Sequence, residues 1–253
     1  MASEHSESAL CFQQAVMLNP YSPESWILLG HQFLEVKNVS SAFGCYKKAI
    51  ELNKHDHRPW FGLGQLYELL NLPHQSLSLY KKSYYLKPGD SKLSFAVARL
   101  LESLGYISDC ISMLTVSIES GDQEGGSIFK LAGLLEASDR ERAANLYKRF
   151  LTDYDEKGLA KPDDSAIATV FLMDYYFELK KYEDAEIFAR RGCRYTQSLK
   201  HSQMVLEKIN LVVASMGDYK KYSLQIPTRP SLFKDQDDGK KENDSEMDMG
   251  TSP

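Results

Sequence analysis

Cysteine is scarce in this chain of 253 residues, and the four present, Cys11, Cys45, Cys110 and Cys193, stand far apart without a CxxC pair. That spacing argues against a disulfide scaffold and a zinc cluster, and fits reduced, mostly buried thiols. Long apolar runs are missing as well; none approaches the roughly 18 residues that a membrane-spanning helix needs. The start, Met1-Ala2-Ser3-Glu4-His5-Ser6-Glu7, has neither the basic residues nor the apolar stretch of a signal peptide. Positive charge is not in excess: the formal net charge is -5, which gives the whole chain no drive toward phosphates or anionic lipid. Neither a nucleic acid nor a membrane is an expected partner.

Motifs that carry chemistry are equally few. Gly62-Leu63-Gly64 lacks a third glycine and a preceding strand, and helix packing explains both glycines. His55-Asp56-His57 has no further Cys or His at ligand spacing, whereas zinc wants four converging ligands. Cys193 has no nearby histidine and reads as a small core residue, like Cys110. Asp163-Asp164 suits a helix N-cap and first turn ahead of Ser165-Ala166. The pairs Lys47-Lys48 and Lys81-Lys82 mark a solvated outer face, with no interleaved aromatics to stack bases. No catalytic residue, metal or cofactor is expected; a thiol activity resting on Cys193 is the enzymatic alternative.

What the sequence does have is a period. Trp26 and Trp60 are 34 residues apart, as are Leu29 and Leu63, Gly30 and Gly64, and Tyr46 and Tyr80. Longer ladders run Phe33, Tyr67, Leu101, Leu135, and Leu29, Leu63, Val97, Leu131. Small residues repeat as Ala49, Ser83, Ser117 and as Ala42, Ser76, Cys110, while Pro20, Lys54 and Pro88 share one position of the frame. Helical spacing of i, i+3, i+4, i+7 puts Trp26, Leu29, Gly30 and Phe33 on one face, and Trp60, Leu63, Gly64 and Tyr67 on the next. Small residues at Gly30 and Gly64 let the partner helix, with Ala42, Tyr46 and Ala49 facing back, come close. The turns Asn19-Pro20-Tyr21-Ser22-Pro23 and Lys87-Pro88-Gly89-Asp90-Ser91 stop one unit and start another.

The pattern W-x2-L-G-x2-[FY], then small, aromatic and small residues, resembles the tetratricopeptide repeat. It implies an all-α fold, a right-handed superhelix of stacked helix pairs. Residues 1–22 read as a partial repeat (Ser8, Phe12, Ala15, Pro20) with a truncated edge at Phe12, Ala15 and Val16. Residues 23–153 hold four repeats, the last one residue short between its helices (Ala143, Tyr147, Phe150). An insert at 154–165 interrupts the period; 166–222 holds a further repeat (Leu172, Tyr176, Ala185, Ala189) and a capping helix with Met204, Val205, Ile209, Val212 and Val213. Residues 223–253, charged and with almost nothing to bury, are expected to be a disordered acidic tail ending in a Ser252-Pro253 dipeptide.

In such a stack the first helices line a concave groove. Positions just off the packed face are then Glu24, Ile27, His31 and Leu34; Arg58, Phe61, Gln65 and Glu68; Lys92, Phe95, Arg99 and Glu102; and Gly126, Phe129, Gly133 and Glu136. Phe61, Phe95 and Phe129 form an apolar ladder beside the acidic ladder Glu68, Glu102, Glu136, a pairing suited to an extended peptide with apolar side chains and an Arg or Lys. The Lys and Asn clamp of chaperone-binding grooves is absent: Ile27, His31, Gly62 and Ala96 stand at its positions, and only Lys92 matches.

The run Trp26 to Gly64, with Gly30-His31, Val36-Lys37-Asn38, Ile50-Glu51-Leu52-Asn53-Lys54 and Arg58-Pro59-Trp60, is similar to the cell-division-cycle 23 family, subunit eight of the anaphase-promoting complex. Leu86-Lys87-Pro88-Gly89-Asp90-Ser91 and Met173-Asp174-Tyr175-Tyr176-Phe177 also resemble it. The match is good over residues 9–90 and colinear through 195. The resemblance implies a non-catalytic scaffold subunit of a nuclear ubiquitin ligase that acts in mitosis. Its groove would take other subunits and an activator peptide whose motif ends in a basic residue. A generic adaptor, for a chaperone or in trafficking, is the runner-up. Because the chain opens in mid-repeat, it corresponds to the C-terminal half of that family, which puts homodimerisation through the N-terminal half in doubt.

Overall fold

Pro23, Pro59, Pro73 and Pro162 each stand in the first turn of a helix, where a missing N–H is no loss and the fixed φ is already helical. The computed structural model describes residues 2–215, which fall into two compact units, the first ending at Lys161 and the second starting at Pro162. Among the described residues there are twelve α-helices and no strand. The tail expected over residues 223–253 lies outside the described residues.

In the first unit α1 (Ala2–Leu18) precedes the helix pairs α2 (Pro23–Glu35) and α3 (Val39–Leu52), α4 (Arg58–Leu69) and α5 (Pro73–Leu86), α6 (Ser91–Ser103) and α7 (Ile107–Glu119), and α8 (Gly126–Leu135) and α9 (Arg140–Phe150). Each helix packs on the one before it, and α2 also touches α4. First-helix starts are capped in register: Ser22 Oγ accepts from the Ser25 N–H, Asp56 Oδ1 from that of Arg58, and Asp90 Oδ1 from those of Lys92 and Leu93. These caps repeat the 34-residue period and fill donors that the helix leaves open.

The turn inside each pair is also shared. Lys37, Asn71 and Gly105, again 34 residues apart, take a left-handed backbone (φ 58, 56 and 80). The N–H groups of Asn38, Leu72 and Tyr106 then reach back to the carbonyls of Phe33, Tyr67 and Leu101, at 2.8–2.9 Å, while those of Lys37, Asn71 and Gly105 bond Leu34, Glu68 and Glu102 at 2.9 Å. This is a Schellman motif, and in the second unit Lys180 (φ 59) makes it once more.

Packing explains the glycine and tyrosine ladders together. A Cβ on Gly30 would lie 2.7 Å from the Tyr46 ring, and one on Gly62 would lie 2.4 Å from it. Tyr80 fills the same space beside Gly64, at 2.4 Å. One repeat later the ring shrinks to Leu114 and the glycine grows to Ala98, both fully buried. The sum of side chains at each contact is thus held near the density of a native core. The other ladders bond as well as pack. Trp26 and Trp60 donate their indole N–H to the carbonyls of Pro20 (2.8 Å) and Lys54 (3.4 Å). Ser83 and Ser117 donate to the carbonyls of His57 (2.9 Å) and Ser91 (2.8 Å), where Ala49 simply fills the space one repeat earlier.

After Phe150 the chain tightens into a π-helical turn, Leu151–Asp155, that carries Tyr154 back against Phe150 (5.9 Å between ring centroids) and lets its hydroxyl donate to the Asp122 carbonyl at 2.8 Å. The second unit holds α10 (Pro162–Glu178), α11 (Tyr182–Gly192) and α12 (Leu199–Ser215). Helix α10 begins at Pro162, inside the residues read as an insert, because proline at its start and Asp163 and Asp164 in its first turn favour the helix. Its core is Met173, Ala185, Ala189, Cys193, Val205, Leu206 and Ile209. Gly192 permits the closest approach of α11 to α12, since a Cβ there would fall 2.2 Å from Ser202 Oγ. Met204, expected to face this core, is 41% exposed, and Leu206 takes the buried place.

Candidate peptide-binding groove

The first helices α2, α4 and α6 present side chains in rows because each repeats the same rotation about its axis. Between them lies an open cavity of about 540 Å³. Phe61, Gln65 and Glu68 of α4 line it, one turn apart, together with Lys92, Phe95 and Arg99 of α6 at the same spacing. Leu34 and Glu35 from the end of α2, Lys37 from the turn after it, and Leu69 close one side; Tyr80 and Ala96 contribute to the floor. A second cavity of about 230 Å³ shares Lys92 and Phe95 and continues past Ser91 and Gly126 to Asp122, Gln123 and Glu124.

Six of the residues read from the sequence as groove-lining, Phe61, Gln65, Glu68, Lys92, Phe95 and Arg99, thus meet in one cavity. Sequence reasoning missed Glu35, Lys37, Leu69 and Tyr80. The position of Lys37 follows from the left-handed turn that only the shared hydrogen-bond pattern reveals. Ile27, placed on the groove by register, is instead buried at 2% exposure. Its slot is that of the half-buried Phe61, Phe95 and Phe129, and the shorter isoleucine does not reach out of the packed layer.

The aromatic ladder is partly held by its own repeat. Phe61 leans on Tyr80 with ring centroids 5.1 Å apart, and Phe129 touches Tyr147 at 5.7 Å and Phe150 at 5.3 Å. Phe95 packs beside Gly126, where an added Cβ would stand 3.4 Å from the ring. All three stay half-buried.

The acidic ladder is not bare. Glu68 accepts the Tyr80 hydroxyl at 2.9 Å and pairs with Arg99 at 2.5 Å; Glu102 pairs with Lys130 at 2.9 Å; Glu136 accepts the Tyr147 hydroxyl at 2.5 Å. Burial first, and then the Glu68 charge, push the Tyr80 hydroxyl far above its ordinary range, so it stays a donor. Arg58 reaches back to Glu24 at 3.4 Å. Each pair of successive first helices, α2 with α4, α4 with α6 and α6 with α8, is therefore joined by one ion pair. All are solvent-exposed, so each contributes about 1 kcal/mol or less, but together they cancel most of the negative charge that the register alone suggested.

Arg58 and His31 serve structure more than the cavity. Arg58 grips Asp56 at 2.6 Å; burial alone would raise that carboxyl, and the bonds from Arg58 outweigh it and hold it below the usual range. Nδ1 of His31 lies 2.8 Å from the Tyr46 hydroxyl, and burial first, then Arg58, hold its pKa below the ordinary histidine value. Of the packing residues, Leu29, Gly30, Leu63 and Gly64 are buried, while Trp26, Phe33, Trp60 and Tyr67 are half-buried at the edges of the layers.

Elsewhere the reactive side chains are quiet. No group of three or more His, Cys, Asp or Glu among the described residues is placed to hold a metal ion. No described helix is long and apolar enough to cross a membrane. Cys193 is 2% exposed and burial raises its pKa, the opposite of an activated thiolate.

The tetratricopeptide repeat family matches residues 57–90, the pair α4 and α5. The repeat is the tetratricopeptide repeat. The cell division cycle protein 23 homolog of Caenorhabditis elegans is 52% identical over 181 residues, covering 71% of this chain and 27% of that protein. The anaphase-promoting complex subunit 8 of Dictyostelium discoideum is 51% identical over 39 residues, covering 15% of this chain and 7% of that protein. The chain thus matches little more than a quarter of the first relative's length and 7% of the second's. Among solved structures, the Cut9–Hcn1 hetero-tetramer of the APC/C aligns with a TM-score of 0.54 at 19% identity, covering 85% of this chain and 41% of that one, a likeness of fold.

Proposed function

We propose that this tetratricopeptide chain acts as a non-catalytic scaffold segment of an anaphase-promoting complex, in the nucleus of dividing cells. The observation that carries the reading is the 52% identity, over 71% of the chain, to a cell division cycle protein 23 homolog. The rows of half-buried phenylalanines on α4 and α6 support a role for the concave face in holding extended segments of neighbouring subunits or of an activator. A basic residue of such a segment would compete with Arg99 and Lys130 for Glu68 and Glu102.

Affinity purification of the tagged chain from dividing cells, followed by mass spectrometry at moderate salt, tests this reading. Recovery of other subunits of the ligase is the expected result. Recovery of chaperones or trafficking proteins instead, at equal expression, would replace it with the adaptor reading.

A further inference from the structure

Once the ion pairs are formed, the charge left in the α2–α4–α6 cavity is positive. Its cations are Lys37, Lys92 and Arg99, and its carboxylates are Glu35 and Glu68. Arg99 and Glu68 neutralise each other. Lys37 and Lys92 pair with no carboxylate among the described residues, which leaves two ammonium groups against Glu35. Lys37 occupies a left-handed turn position that asparagine takes one pair later, at Asn71, and glycine two pairs later, at Gly105, so its backbone there carries some conformational cost. The rings of Phe61 and Phe95 line the same cavity. The half-buried Gln65 side chain also lines the cavity and makes no hydrogen bond among the described residues, so its amide can donate and accept.

We propose that this cavity selects an extended peptide segment carrying a carboxylate side chain next to an apolar one. Resting on the groove reading above, the assignment places the carboxylate at one of the two lysines, the apolar side chain against Phe61 and Phe95, and the peptide backbone on Gln65. The adjoining cavity sets a direction: Asp122 and Glu124, beyond Lys92 and Phe95, repel a second acid on the α8 side. The occupant is therefore acidic on one side of its apolar anchor only. This reverses the charge expected from the glutamate ladder.

The test is selection of a displayed random-peptide library on the full chain, with a Lys37→Glu, Lys92→Glu chain and a Phe95→Asp chain as parallel baits. Both lysines are exposed, so their replacement leaves the fold intact, which the melting temperature verifies. The expected result is enrichment of peptides with Asp or Glu beside an aromatic or aliphatic residue. Their binding should weaken roughly tenfold or more on the double-lysine variant, which should enrich Lys or Arg at the same position. Enrichment of basic peptides on the unaltered chain, or binding indifferent to both lysines yet lost with Phe95→Asp, overturns the charge assignment and leaves the groove reading standing. Absence of any peptide sensitive to Phe95→Asp overturns both.

Discussion

Arg99 and Glu68 lie 31 residues apart, on α6 and α4, and their side chains meet at 2.5 Å across the groove. This contact decides what the acidic ladder offers to a ligand. Arg99→Ala should cost about 1 kcal/mol or less in stability, because Arg99 is exposed and Glu68 is only half-buried. It should also bare Glu68 and move peptide selection toward Lys and Arg. Denaturation curves and library selection on this variant read the two effects separately; an unchanged selection would show that Glu68 does not meet the ligand.

Gly64 has no room for a side chain, since its Cβ would stand 2.4 Å from Tyr80. Gly64→Leu should therefore lower stability by about 1–3 kcal/mol or more. The next repeat supplies the compensation: Ala98 stands with Leu114 where Gly64 stands with Tyr80. The pair Gly64→Ala, Tyr80→Leu should recover part of what Gly64→Ala loses alone, a coupling that a double-mutant cycle measures. Unchanged melting of Gly64→Leu would sink the assignment of that helix face.

Lys37 holds a backbone that glycine adopts without penalty (φ 58). Lys37→Gly should raise stability by about 0.5–1 kcal/mol, the relief of left-handed strain less the extra freedom glycine gives the unfolded chain. Chemical denaturation checks the sign. If the lysine also serves the ligand, the same variant should bind acidic peptides more weakly, so stability and binding should move in opposite directions.

Two histidines set a pH limit. Burial holds the pKa of both His31 and His57 below the ordinary 6.5. The unfolded chain therefore takes up protons before the folded one, and stability is complete above that value and declines as the pH falls below it. His31→Asn should flatten part of the decline in melting temperature between neutral and mildly acidic pH. A second loss should begin only in the acidic range below 3.8, where the lowered carboxyls of Asp56 and Asp90 keep the folded state charged while the unfolded one protonates.

The period was legible in the sequence because packing faces repeat when helix pairs stack. Trp26 and Trp60, Gly30 and Gly64, Tyr46 and Tyr80 each recur because the paired contacts fix how much side-chain volume fits between the helices. The shared turns were not legible. Lys37 and Asn71 carry no glycine signal, and only the paired hydrogen bonds to Phe33, Leu34, Tyr67 and Glu68 disclose the left-handed residue. The ladder of Ser22, Asp56 and Asp90 at the helix starts changes residue type while each side chain still accepts a backbone N–H, so identity at fixed spacing passes over it.

By itself the sequence determined the repeat, the helix pairs and the six side chains that gather in one cavity, because these follow from spacing along a helix and from residue volume. The charge of that cavity was decided by tertiary structure alone. Glu68 meets Arg99, and Glu102 meets Lys130, across separate helices at separations of 31 and 28 residues, outside the 34-residue frame. Long side chains reach sideways from one repeat to the next, and a spacing rule that follows Cβ positions does not record where their charged ends come to rest.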